Sequence, residues 1–270
     1  MILHWQRVGF VHGVMNTDNM SVHGITIDYG PYGWLENYDP SWTPNTTDRQ
    51  NRRYRFGNQP QIAQWNLYQL ANALYPLINE AEPLEKILES FITDFDRDYK
   101  GMFLSKLGIF TSTEADDKLI SGLDAVLQLS ETDMTIFFRN LSKVQKSDSV
   151  DEAIEKIKDS FYLPEEIKGD ILESWKKWFT VYLQRLNTEE LSDQVRSEKM
   201  NQINPKYVLR NYMSQLAIDA ADKDDYSLIE ELYLLLQKPY DEQPEFEKWF
   251  AKRPDWARSK VGCSMLSCSS

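Results

Sequence analysis

"HGVMNTDNMSVHGITIDYGPYG", residues 12–33, holds two of the chain's three histidines, four glycines, two aspartates and two asparagines. Three of its side chains, Asp18, Asn19 and Asp28, carry hard oxygen donors within a short span. Mg²⁺ or Mn²⁺ takes such donors, usually one or two carboxylates completed by phosphate oxygens and water. A carboxylate paired with an amide supplies too little charge to hold the ion tightly alone, so a nucleotide would complete the shell. Zinc fits poorly. Cys263 and Cys268 lie at the far end of the chain, and the histidines lack ligand spacing.

The spacing carries more than the composition. Protein kinases use a catalytic loop H-R-D-x-x-x-x-N followed by D-F-G. On that pattern His12 takes the place of the loop histidine, Asn19 of the metal-binding asparagine, and Asp28-Tyr29-Gly30 of D-F-G. Val14 stands where the catalytic aspartate belongs, and valine can neither accept a proton nor bind metal. Asp18, beside the asparagine, is the carboxylate available as general base toward a hydroxyl. Between the two motifs, "SVHGITIDYG" alternates like a short β-ribbon, with β-branched Val22, Ile25 and Ile27. The same residues also suit a turn-rich hairpin whose Asp and Asn side chains only cap turns.

Outward from this stretch, the chain has 270 residues, 41 % of them apolar, enough for a sizeable core. Its 30 basic and 42 acidic residues give a net charge of −12. Such a surface repels phosphate backbones and anionic lipid, so neither nucleic acid nor membrane is the expected partner. No apolar run approaches the ~20 residues of a membrane helix. "MILHWQRVGF" lacks the pattern of a signal peptide, and two late cysteines form no disulfide framework, so a reducing compartment is expected.

A polar loop, "ENYDPSWTPNTTDRQNRRYRFGNQP", precedes a largely helical remainder. Asn58 and Pro60 open a helix with Ala63, Leu67, Leu70 and Leu74 in one stripe. Further helices are expected over 83–95, 114–129, 132–141, 151–161 and 167–186, the last with Ile171, Trp175, Trp178, Tyr182 and Leu186 in step. Asn204 as cap and Pro205 as first helical residue predict another, with Val208, Tyr212 and Leu216 on one face. Ser227 and Glu230 predict a capping box for a last helix through Leu236. The aromatic stripes read as core.

At this point whole segments resemble a known family. "VGFVHGVMNTDNMSVHGITIDYGPYGWLENYDP", "FGNQPQIAQWNLYQLANAL", "NPKYVLRNYMSQLAI" and "PDWARSKVGCSMLSCSS" closely resemble the selenoprotein O, or YdiU, family of protein adenylyltransferases. The residue patterns already give a mainly α fold with a small β-ribbon, and the resemblance implies that it is the C-terminal lobe of a kinase-like fold plus a helical extension. It divides the chain into a catalytic-loop and metal-binding part over 1–78, a helical body over 79–250 and a flexible cysteine-containing tail over 251–270. It implies ATP bound in the reverse of the kinase orientation, so that AMP passes to a Ser, Thr or Tyr hydroxyl of a protein (AMPylation). Asp18 then matches the proton acceptor, Asn19 and Asp28 the Mg²⁺ ligands, and Asp28 also touches the nucleotide. Cys268 sits near the position of the family's selenocysteine, and Cys263 is a candidate to pair with it. The family's glycine-rich phosphate loop, lysine and arginines have no counterpart here, since the chain has no G-x-G-x-x-G. The expectation is a C-terminal portion, inactive or nearly so alone, from a bacterial cytoplasm (or a mitochondrion if eukaryotic). The alternatives are a kinase-type phosphotransferase using the same residues, and a non-catalytic helical interaction module with a relic site.

Overall fold

The computed structural model describes residues 1–260, 262, 263 and 266. The expected pair of cysteines involves Cys268, which lies outside them; Cys263 is a free, buried thiol. The chain starts with α1 (Ile2–Val8), which Gly9 ends in a left-handed conformation at φ 75°. Strand β1 (Phe10–Val11) follows and pairs antiparallel with β2 (Gly33–Trp34), Phe10 facing Trp34 and Val11 facing Gly33. Everything between the two strands forms one long excursion.

The small sheet is therefore present, but the ribbon expected within residues 21–30 is not. Val22 and Ile25 are exposed, and that segment pairs with no strand among the described residues. Its backbone and side chains bond instead to the aromatic side chains of α1 and the following loop. Alternation alone does not make a strand when no partner edge is offered.

Helices α2 (Gln59–Ile78), α3 (Glu82–Lys106), α4 (Asp116–Leu127), α5 (Met134–Leu141), α6 (Val150–Ile157) and α7 (Gly169–Leu186) follow. The stripe on α2 is buried at Ala63 but exposed at Leu70 and Leu74. The main core lies where α4, α5, α6 and α7 meet. Leu123, Leu127, Phe137, Trp175, Phe179, Tyr182 and Leu186 are all fully buried there. Each large apolar side chain removed from water contributes about 1.5–3 kcal/mol. Of the three polar aromatic tips two are satisfied, Tyr182 Oη donating to Leu107 O at 2.8 Å and Trp178 Nε1 to Leu119 O at 3.1 Å, while the buried Trp175 Nε1 has no partner among the described residues.

Helix α8 (Asp193–Ile203) was not signalled by periodicity, because it buries only Arg196 and Met200. The helix expected to start at Asn204 does not start there. Residues 204–210 run as irregular chain, with Lys206 and Tyr207 both donating their backbone N–H to Pro239 O. Asn204 closes α8 and donates its Nδ2 to Lys106 O, so α9 (Asn211–Ala221) begins seven residues later than Asn204. In α10 (Ser227–Leu236) the Ser227–Glu230 capping box does not form; Asp225 accepts the Ser227 N–H instead. The capping box that does form is Ser149 with Glu152 on α6.

One buried ionic network ties distant parts of the chain. Arg210 donates two hydrogen bonds to Asp133, at 2.6 and 3.0 Å, and both side chains are at most 3 % exposed. Tyr162 Oη donates to Asp133 Oδ2 at 3.2 Å, and Arg253 Nε lies 3.3 Å from Glu36 Oε2. Burial pushes the Glu36 carboxyl up, against the opposing pull of Arg210 and Arg253. Asp133 also caps α5 by accepting the Ile136 N–H.

Candidate active site

The loop leaving β1 is held by buried side-chain amides. Gln59, the first residue of α2 and fully buried, accepts the His12 N–H at 3.0 Å and donates to Phe10 O at 2.9 Å. Asn45 donates to Gly13 O at 3.1 Å and Asn66 to Met15 O at 3.0 Å. Each amide thus satisfies a backbone group at or beyond the end of the short strand, which burial would otherwise penalise by about 1–3 kcal/mol. Gln59→Leu is accordingly expected to destabilise the chain by about 2–4 kcal/mol, because it orphans two buried groups at once. A denaturant midpoint unchanged from wild type would refute the clamp.

His12 joins this loop to the segment that ends at Asp28. Its ring is buried and stacked on Trp5 at 5.4 Å, and its Nε2 donates to Ile27 O at 2.8 Å. Its Nδ1 therefore remains the acceptor, 3.4 Å from the Val14 N–H. Trp5 Nε1 donates to Thr26 Oγ1 at 2.9 Å, which fixes the neighbouring residue as well. A second contact binds the same two segments. A Cβ on Gly13 would lie 2.2 Å from Pro31 O, and Gly13 has φ 82°, so only glycine fits.

On this scaffold the sequence-derived candidates take the following places. Asp18 lies exposed in a single 3-10 turn, Thr17–Asn19. Asn19, next to it, donates Nδ2 to Val14 O at 2.9 Å, which turns its Oδ1 into the free acceptor. Asp28, one residue past the His12 anchor, is exposed and left-handed at φ 55°. Such a backbone is uncommon for a residue with a side chain and recurs at functional positions. Among the described residues, none donates a hydrogen bond to the carboxylate of Asp18 or Asp28, and the three side chains do not bond to one another.

This donor set, one free amide oxygen and one free carboxylate, fits Mg²⁺ or Mn²⁺ completed by phosphate oxygens. Among the described residues no group of three or more His, Cys, Asp or Glu could hold a metal ion without such help. A groove of about 290 Å³ runs beside Thr17, between Met20, Val22 and the Asn66–Leu70 face of α2. The larger apolar cleft, about 520 Å³ between α9 and α10, is lined by none of these residues.

The side chains that sequence reading missed are the clamps Asn45, Gln59 and Asn66; Tyr54, an aromatic of the polar loop suited to anchor it, donates its Oη to Asn16 Oδ1 at 2.5 Å. The clamps' contacts span about 30 to 50 residues, and no local pattern marks them.

The family model for protein adenylyltransferase SelO matches residues 1–237 of the chain. The chain belongs to the SelO family. Relatives agree along its whole length. A protein nucleotidyltransferase YdiU of Flavobacterium johnsoniae is 80 % identical over 270 residues, covering all of this chain and 52 % of that protein. The proteins of the same name from Rhodopirellula baltica and Aromatoleum aromaticum are 50 % and 51 % identical, again over all of this chain and 52 % and 51 % of theirs. The chain spans about half the length of the curated relatives it matches. Among its described residues no helix is long and apolar enough to cross a membrane.

Proposed function

We propose that this SelO-family chain carries the metal-binding and proton-accepting end of a protein adenylyltransferase site. Residues 1–78 form the catalytic part of a kinase-like C-terminal lobe, residues 79–250 its helical body, and 251–270 a cysteine-containing tail. The observation that supports this most is the double tie of His12 to Ile27 and Gly13 to Pro31, which joins the loop leaving β1 to the segment on either side of Asp28. A tie between the two segments that carry the proposed donors serves the positioning on which such catalysis depends.

In this reading Asn19 Oδ1 and the Asp28 carboxylate hold Mg²⁺ or Mn²⁺, which when bound neutralises charge on the ATP phosphates. Asp18 accepts the proton of a Ser, Thr or Tyr hydroxyl on the acceptor protein. The hydroxyl oxygen forms a bond to the α-phosphorus, the bond from that phosphorus to the bridging oxygen breaks, and pyrophosphate leaves. The chain contains no glycine-rich phosphate loop. Positioning of that kind contributes up to about 7–11 kcal/mol, so the 270-residue polypeptide by itself should transfer AMP slowly or not at all.

The test replaces the matching segment of the F. johnsoniae relative by this chain and compares ATP labelled at the α- or the γ-phosphate. Label reaching protein from the α position only supports the proposal. Label from the γ position makes the site a phosphotransferase built from the same residues. No transfer, together with no Mg²⁺–ATP binding by calorimetry, makes it a non-catalytic helical module.

A further inference from the structure

Arg49, Arg52, Arg53 and Arg55 fall within seven residues that contain no acid, on a chain whose net charge is −12. Every arginine after this loop reaches a carboxylate: Arg97, Arg139, Arg185, Arg196, Arg210, Arg253 and Arg258. The four loop arginines have no carboxylate partner among the described residues. Arg49, Arg52 and Arg53 are exposed. Arg55 donates to Arg52 O, and Arg53 lies over the Trp65 ring at 4.7 Å, which holds its guanidinium at the surface.

The loop is built, not slack. Asp48, the carboxylate at its start, is buried and accepts the N–H groups of Arg53 and Tyr54 at 2.8 and 2.7 Å. Arg52 is held left-handed at φ 47°. Tyr54, between Arg53 and Arg55, donates its hydroxyl to Asn16, two residues before Asp18. The arginines are thus tethered on the Asp18 side of the loop that carries the candidate site.

We propose that this loop recognises the acceptor protein through acidic residues flanking its target hydroxyl. The inference rests on the reading that Asp18 faces that hydroxyl. Guanidinium groups pair with carboxylates in bidentate geometry, and a local cluster of four positive charges on an otherwise acidic protein steers an acidic segment to this place. The nucleotide is not the occupant, because its phosphates belong with Asn19 and Asp28.

The test measures binding of fluorescein-labelled 12-residue peptides to the 270-residue chain by anisotropy, without ATP. One peptide carries serine flanked by Glu and Asp, one serine flanked by Gln and Asn, and one serine flanked by Lys. The acidic peptide should bind at least tenfold more tightly than the neutral one and weaken with added salt. The variant R49Q/R52Q/R55Q should lose that tenfold, while K118Q/K177Q/K223Q, which removes three exposed positive charges elsewhere on the chain, should keep it. Charge reversal, R49E/R52E, should transfer preference to the lysine peptide, a gain that a misfolded protein cannot show. Equal binding of acidic and neutral peptides, or an unaffected triple variant, overturns the proposal. So does a single-stranded oligonucleotide that binds through the same arginines as tightly as the acidic peptide. Because no ATP is present, peptide selection survives a failure of AMP transfer, and normal AMP transfer without acidic preference removes only this inference.

Discussion

Asp28→Asn in the exchanged F. johnsoniae protein is expected to lower α-label transfer by about 10³-fold, with Mg²⁺-dependent ATP binding weakened in parallel. Asparagine is the informative replacement. It keeps the side-chain volume and tolerates the left-handed backbone that Asp28 adopts at φ 55°. What it removes is one negative charge from the proposed ion. Asp28 is exposed and accepts no side-chain hydrogen bond among the described residues, so stability should change by less than about 0.5 kcal/mol. Asp18→Ala separates the roles. It should slow transfer by about 10²–10⁴-fold while ATP binding stays near wild type, since a general base acts on the hydroxyl and not on the nucleotide. Undiminished transfer in either variant would strip that residue of its role.

The largest effect on stability is expected at Asp133. Asp133→Ala leaves Arg210, 3 % exposed at its side chain, as a charge with no bidentate partner, and it removes the cap of α5. Breaking a buried pair from one side costs about 3–5 kcal/mol, a large part of a typical domain's stability. The pair as a unit is a different matter. Removing both charges with apolar residues of similar size, Asp133→Leu with Arg210→Met, should recover at least half of the loss. Denaturant midpoints of the two single variants and the double variant form the cycle. A single-variant loss under about 1 kcal/mol would mean that solvent reaches the pair.

How far the sequence carries the fold differs from element to element. Trp175, Trp178, Tyr182 and Leu186 recur at helical spacing and are buried along one face of α7, as their period requires. Helix α8 escapes the same reasoning because its buried face holds an arginine and a methionine, not a run of apolar residues. Asn204-Pro205 has the chemistry of a helix start, yet the Asn204 amide is taken by Lys106 O and the chain past it by Pro239 O. Local capping signals lose where a long-range hydrogen bond offers the same groups a better partner. At the candidate site, residue type and spacing single out Asp18, Asn19 and Asp28. The amides that fix the loop do not stand out, since Gln59 reaches 47 residues back to His12 and Asn66 reaches 51 to Met15.

The Asp133 network also constrains the order of events at the ribosome. Its members Glu36, Asp133, Tyr162, Arg210 and Arg253 stretch across most of the polypeptide, so the nascent chain presents Asp133 and Glu36 long before their cationic partners exist. At about 5–20 residues per second, the interval between synthesis of Glu36 and Arg253 is on the order of ten seconds or more. Through that interval the α4–α7 core can collapse, but the carboxylates must stay hydrated, which keeps their surroundings open to water. Synthesis of Arg253, and not the hydrophobic collapse itself, then becomes the event that seals this part of the molecule.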